Sequence, residues 1–344
     1  MTMKNAIPEP TISTYSPNRY LCKKTNEKLN LDGRLDKSFW EKASWSENFV
    51  DIEGDAKPIP TKQTRVKMLW DDEYFYFGAE LIEDEIWATL TERDSVIFQD
   101  NDFEIFIDPD GDTHNYYEFE INALNTVWDL LLVKPYRDGG PAVNGWDISG
   151  MKTAVYIDGK LNDPSNIKAN CKWSVEVAMP WNILKECAKE GRPPKTGESW
   201  RVNFSRVQWQ VEVEDGQYVK KINPLTGKSI PEDNWVWSPM GVVNMHYPEL
   251  WGYVFFADKP AQELPAISED ETRKWQLRKV YYWQRRYFSE HGSFTTDVGE
   301  DLRRELTAGL IIETTSRTFL ASLQSSEGNR RIYIREDGKL WEES

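Results

Sequence analysis

Carboxylates alternate with apolar side chains in D-N-D-F-E-I-F-I-D-P-D-G-D, from Asp100 to Asp112, and again in Y-Y-E-F-E-I-N, from Tyr116 to Asn122. Acidic groups at this spacing suit three kinds of chemistry. They can hydrogen-bond the hydroxyls of a polyhydroxylated ligand, hold a hard cation, or act as an acid and base pair in glycoside hydrolysis. Side chains swap faces at every strand residue, so Phe103, Ile105 and Ile107 fall on one side and Glu104, Phe106 and Asp108 on the other. The second run sets Tyr117, Phe119 and Ile121 against Tyr116, Glu118, Glu120 and Asn122. If the runs pair, their polar faces form one patch. Such a patch suits a sugar, whose hydroxyls donate and accept while its C–H face stacks on aromatic rings. An antiparallel sheet with one wetted face produces the same pattern, so the alternation alone names no ligand.

Hydrolysis needs two carboxyl groups at a fixed separation, one of them raised in pKa. Glu104, Glu118 and Glu120 qualify by type, but sequence spacing does not give their separation. Asp108, Asp110 and Asp112 surround a glycine turn with the oxygen ligands that calcium prefers, without the twelve-residue EF-hand pattern. A solvated turn is the alternative reading of that loop. No Gly-rich phosphate loop, G-x-S-x-G elbow or H-E-x-x-H motif is present.

These residues need a scaffold. The 344-residue chain is long enough for one main core and a smaller addition. Its 16 Trp, 15 Tyr and 14 Phe supply large apolar areas. A net charge of −15 disfavours nucleic acid, whose binding relies on Lys and Arg displacing counterions. Cys22, Cys171 and Cys187 lack metal-ligand spacing and read as free thiols. No run approaches the roughly 18 apolar residues needed to span a bilayer, so no membrane span is expected. Met1 to Pro10 lacks the apolar core of a signal peptide.

Residues 1–28, with Pro8, Pro10 and Pro17, read as an extended and loosely held arm. T-R-V-K-M-L-W and Y-F-Y-F-G-A-E-L, separated by Asp71 to Glu73, read as a hairpin. Further strands are expected over 126–135, 154–157, 173–178, 200–209 and 251–256, with a short helix opened by Pro180 and closed at Gly191. The fold class is therefore mainly β: an antiparallel β-sandwich over residues 29–258 with a small C-terminal α+β addition over 265–344. The boundary is placed at Lys259 to Glu263, around Pro260. Ser268 and Glu271 form a capping-box pattern ahead of a helix ending at His291 and Gly292.

At W-D-D-E-Y-F-Y-F-G-A from Trp70, at D-N-D-F-E-I-F-I-D-P-D-G-D and at Y-Y-E-F-E-I-N, the chain resembles the family-nine carbohydrate-binding modules found appended to xylanases. N-F-S-R-V-Q-W and W-V-W-S-P extend the match, which covers roughly Leu29 to Asp258. The resemblance implies a β-sandwich that grips a glycan between aromatic side chains, often with structural calcium. It also implies a periplasmic or secreted protein associated with glycoside hydrolases and polysaccharide breakdown. Position by position, the family's binding Glu falls on Glu104 and its Asn on Asn122. Its paired tryptophans fall on Phe98 and near Met245, its Arg on Glu120 and its Gln near Ser205. Losing two indoles and reversing one charge must change the ligand or abolish binding. Arg137, Trp146, Arg206, Trp209 and His246 are candidates to rebuild the cleft.

Non-catalytic glycan binding is thus the leading expectation. A glycoside hydrolase using the same acidic face, and a structural or partner-docking sandwich with a degenerate cleft, are the alternatives.

Overall fold

The computed structural model describes residues 7–12, 14–166, 171–259 and 263–344. The start of the arm and the boundary around Pro260 therefore lie partly outside the described residues. A curled sheet runs in the spatial order β8-β7-β6-β5-β11-β15-β1-β3-β4-β10-β9. Its strands are β1 (Arg19–Lys24), β3 (Thr64–Trp70), β4 (Tyr74–Ile82), β5 (Asp102–Asp108), β6 (Tyr116–Asn122) and β7 (Val127–Leu132). They continue with β8 (Ala142–Val143), β9 (Lys152–Asp158), β10 (Lys172–Pro180), β11 (Ser199–Gln208) and β15 (Gly252–Ala257). Two short strands, β2 (Val50–Asp51) and β14 (Asp233–Val236), pair with each other, and β14 also pairs with β11. A separate ribbon joins β12 (Val211–Glu214) to β13 (Gln217–Lys220).

The expected hairpins form for local reasons. Between β3 and β4, Asp71 Oδ1 accepts the amides of Glu73 and Tyr74, both at 2.7 Å. Between β5 and β6, the two Asp108 oxygens accept the amides of Gly111 at 3.0 Å and Thr113 at 2.9 Å. Asp side chains favour turns because they satisfy backbone donors locally. Gly111, at φ 70°, supplies the left-handed backbone that this turn requires.

The two layers meet through their apolar faces. Phe103, Ile105, Phe119 and Phe204 from one layer share a core with Phe75, Phe77, Val175 and Val177 from the other. Phe103 stacks on Phe204 at 5.9 Å, and Phe77 meets Phe204 edge-on at 5.9 Å. Each such side chain contributes about 1.5–3 kcal/mol through burial.

The structure changes two expectations. The sheet is mixed, because β1 runs parallel to both β15 and β3 and so joins the two layers. That strand comes from the arm expected to be loosely held; burial of Tyr20 and Cys22 fixes it in place. The helix after Pro180 is also shorter than expected: α2 (Trp181–Leu184) passes into 3₁₀ turns, since Tyr117 and the core claim its carbonyls and amides. A one-turn helix, α1 (Ser38–Glu41), precedes it in the chain and buries Phe39 and Trp40.

The C-terminal addition contains α3 (Glu269–His291), α4 (Glu300–Glu305) and an antiparallel sheet of β16 (Ile311–Thr314), β17 (Phe319–Gln324), β18 (Arg331–Arg335) and β19 (Leu340–Glu343). Ser268 Oγ accepts the Glu271 amide, and Gly292 at φ 72° closes α3, as the capping pattern predicts. Leu277, Val280 and Tyr281 of α3 pack with Phe106, Tyr116, Leu130 and Trp251 of the sandwich. The addition therefore covers the Asp108 end of the face that carries the carboxylates.

Candidate functional site: a carboxylate cluster on the polar sheet face

Strand pairing brings the acidic side chains together. In the β5–β6 ladder Asp102 faces Asn122, Glu104 faces Glu120, and Phe106 faces Glu118. On the other side of β5, Ser205 of β11 faces Glu104. Glu104 and Glu120 are thus like charges placed directly across a ladder, an arrangement that is destabilising by itself. One oxygen each from Asp102, Glu104 and Glu120 lies within 4.8 Å of the others.

All four carboxylates are buried: Asp102, Glu104, Glu118 and Glu120 are at most 6% exposed. Among the described residues no ion pair reaches any of them. Burial pushes the Glu104 carboxyl up to about 7. Asp102, Glu118 and Glu120 are driven well above the usual carboxylate range, first by burial and then by the Glu104 charge beside them.

Aromatic groups border the cluster. The Phe98 amide donates to Glu120 Oε2 at 2.9 Å, and its half-buried ring stands at the edge. Trp209 Nε1 donates to the Phe98 carbonyl at 2.8 Å, and the Lys220 ammonium sits 3.3 Å from the centre of a Trp209 ring. Tyr136 is exposed and packs edge-on against His246 at 4.6 Å. Burial, then the Arg137 cation, pushes the His246 imidazole down to about 3, so it is neutral. Its Nδ1 lies 3.0 Å from the Tyr116 hydroxyl.

The remaining sequence candidates occupy different roles. Asn122 shares the polar face, but its amide donates to the Leu90 carbonyl and Asp100, and its carbonyl accepts the Leu124 and Thr126 amides. It holds a turn with its whole hydrogen-bonding capacity. Arg137 is held by both oxygens of Glu249 at 2.8 and 2.9 Å and by the Tyr281 hydroxyl of the addition at 3.4 Å. Trp146 lies toward the opposite, core face, stacked on Tyr117 at 4.8 Å. Arg206 also points to that face, where it bonds Glu83 at 2.7 Å and the Thr64 hydroxyl at 3.0 Å. Arg137, Trp146 and Arg206 therefore do not rebuild the cleft. Parity explains Arg206, because its neighbour Ser205 takes the polar side. Met245 is buried beside Trp251, whose indole donates to its carbonyl.

Asp108, Asp110 and Asp112 converge at their turn, each offering an oxygen within 4.8 Å of the others. That oxygen set has the chemistry a calcium ion takes. Its anchoring role is equally clear. Asp108 holds the turn amides, and Asp112 pairs with Lys339 of the addition at 3.2 Å.

Sequence reasoning missed Asp102 and Tyr136 as members of this face, while it placed Ser205 near it. Asp102 was accessible by parity with Glu104. Tyr136 was not, because only the folded loop carries it back to the sheet.

Residues 31–192 match the sequence model described as carbohydrate family 9 binding domain-like. No curated protein matches the chain. Among solved structures, a candidate carbohydrate-binding protein from Bacteroides uniformis ATCC 8492 is 16% identical, with a TM-score of 0.50, covering 70% of this chain and 100% of that one. A family 9 carbohydrate-binding module from Caldicellulosiruptor kristjanssonii in complex with cellotriose is 15% identical, with a TM-score of 0.44, covering 73% and 100%. The same organism's module in complex with glucose gives 15%, 0.44, 72% and 100%. The first of these likenesses concerns the fold. Strands β3 to β10, with the carboxylate-bearing β5 and β6 at their centre, fall within the segment that this sequence model matches, residues 31–192.

Proposed function

We propose that this protein binds glycans without cleaving them. The observation that carries the reading is the position of the polar β5–β6 face inside the carbohydrate family 9 binding domain-like segment, with the half-buried Phe98 ring at its edge. Glu104 and Glu120 offer acceptors to sugar hydroxyls, Phe98 offers an apolar face, and the exposed Tyr136 phenol offers both. The protein acts in polysaccharide recognition, associated with polysaccharide breakdown. In the same reading the Asp108–Asp110–Asp112 turn takes a structural calcium ion, which would add to the anchorage already supplied by Lys339.

Like carboxylates crowded side by side differ from the opposed pair that hydrolysis uses, in which the two groups flank the bond to be broken. Calorimetry against mono- and oligosaccharides, paired with an assay for released sugar, tests the reading. Saturable binding without product supports it. Sugar release abolished in both Glu104→Gln and Glu120→Gln would replace it with a hydrolase.

A specific observation favours a second reading, a structural or docking sandwich with a closed cleft. Asn122 is fully committed to its turn and the four carboxylates are nearly sealed. Absence of binding across a glycan array would select it.

A further inference from the structure

We propose that Asp102, Glu104 and Glu120 bind one hard divalent cation of the calcium class at the floor of the polar sheet face, with the Ser205 hydroxyl beside it. The site is separate from the Asp108 turn. It also differs in kind from the sugar contacts that the family resemblance places at Glu104 and Glu120.

The geometry is that of a shared ion. Calcium takes oxygen ligands at about 2.3–2.6 Å, so two oxygens on opposite sides of one ion stand about 4.8 Å apart. The three carboxylates each bring an oxygen within that span of the other two. They come from rigid strand positions, Glu104 and Glu120 being direct cross-strand partners.

Unfilled bonding capacity points to a ligand independently. Asp102 Oδ1 accepts the Val207 amide at 3.2 Å, while Asp102 Oδ2 has no hydrogen-bond partner and the residue is 0% exposed. Ser205 Oγ is also buried, and its residue faces Glu104, the carboxyl with which its hydroxyl interacts, across the β5–β11 ladder. Buried polar atoms in folded proteins are nearly always satisfied, and an unsatisfied carboxylate oxygen beside two further carboxylates calls for a cation. The protein supplies none: among the described residues, no Lys, Arg or His forms an ion pair with this triad. All-oxygen donors select a hard ion over zinc or copper.

The test uses full-length protein stripped with chelator and titrated with calcium chloride alone, so it does not depend on the glycan reading. Calcium is expected to bind and to raise the melting temperature. In Glu104→Gln/Glu120→Gln, which removes the facing charges at constant shape, the metal-free protein should melt no lower than wild type, and when the same pair is placed on Asp110→Asn/Asp112→Asn, which silences the turn, the calcium response should vanish. Glu120→Gln alone should weaken calcium binding by about tenfold or more, since even outer partners of metal ligands are worth that much. Asp110→Asn/Asp112→Asn should keep the response of the triad. Terbium supplies a second readout, because Trp128 faces Glu120 across the β6–β7 ladder. Trp128→Phe should reduce sensitised terbium emission while leaving calcium affinity within about twofold. A calcium response that survives when the double Gln pair is combined with Asp110→Asn/Asp112→Asn, a response lost in the Asp110/Asp112 variant alone, or no binding of calcium, manganese or terbium by wild type would each overturn the assignment.

Discussion

The Phe98 amide donates to Glu120 Oε2 at 2.9 Å, which ties the aromatic edge of the polar face to the carboxylate at its floor. The bond makes the two positions one unit: displacing the Glu120 side chain leaves the Phe98 N–H donor unpaired and releases the turn that presents the Phe98 ring.

Phe98→Ala is therefore expected to weaken glycan binding by up to about tenfold, the equivalent of about 0.5–1.5 kcal/mol for an aromatic contact. Its melting temperature should change little, because the ring is only half buried. Calorimetry with an oligosaccharide and a thermal melt measure both. Unchanged affinity would remove Phe98 from the contact surface.

Glu104→Gln should weaken glycan binding by about 1.5–3 kcal/mol if the carboxylate accepts from a sugar hydroxyl, the range for a charged hydrogen bond. The fold should not suffer, since the substitution removes one of two like charges that face each other across the ladder. A large loss of stability with intact binding would identify Glu104 as a structural anchor.

The Arg206–Glu83 pair predicts a different signature, in stability rather than binding. Both side chains are 1% exposed, and Lys62 also pairs with Glu83. Burial alone would raise the Glu83 carboxyl, but Arg206 and Lys62 more than offset it and hold the group below its usual value. Arg206→Met should cost about 3 kcal/mol, the low end for breaking a buried pair, because Lys62 remains. A carboxyl depressed in the folded state stabilises the fold above its unfolded value of about 4.5 and loses that contribution as pH falls through its folded value. The gap between wild type and variant should therefore narrow below about pH 4.5. Denaturant melts across pH 3 to 7 would show a constant gap if the pair contributed nothing.

Removal of residues 265–344 should give an insoluble or poorly folded sandwich. The addition buries Leu277, Val280 and Tyr281 against Phe106, Tyr116 and Trp251. It also binds through Tyr281 to Arg137, through Tyr282 to Glu249, and through Arg285 and Tyr281 to Asp138. Loss of these contacts exposes an apolar face and strips Asp138 and Glu249 of part of their hydrogen bonding, leaving Arg137 to serve both. A soluble fragment with a cooperative melt would show the addition to be an independent unit.

Period-two alternation was enough to locate β5 and β6, their two-faced character and the Asp turn between them, because strand parity is a local property of the backbone. The capping of α3 by Ser268 and Gly292 was legible for the same reason: caps are satisfied within a few residues. The polar face was therefore visible in the chain, including the shared side of Glu104 and Asn122. What Asn122 does there was not, since its four hydrogen bonds depend on how the loops at Leu90 and Thr126 return to the strand.

Register and packing decided the rest. Placing Glu104 opposite Glu120, rather than two residues away, turns scattered acids into one cluster, and sequence fixes no pairing partner until the sheet closes. Arg137 and His246 could not be assigned from their types, because Glu249 and the α3 helix that claim Arg137 lie more than a hundred residues further along the chain. The amino-acid order determined a two-faced β-sheet with carboxylates on one side. Only the tertiary fold determined that those carboxylates are buried, adjacent and, among the described residues, without a cationic side chain paired to them, since burial and charge pairing are set by contacts between segments remote in sequence.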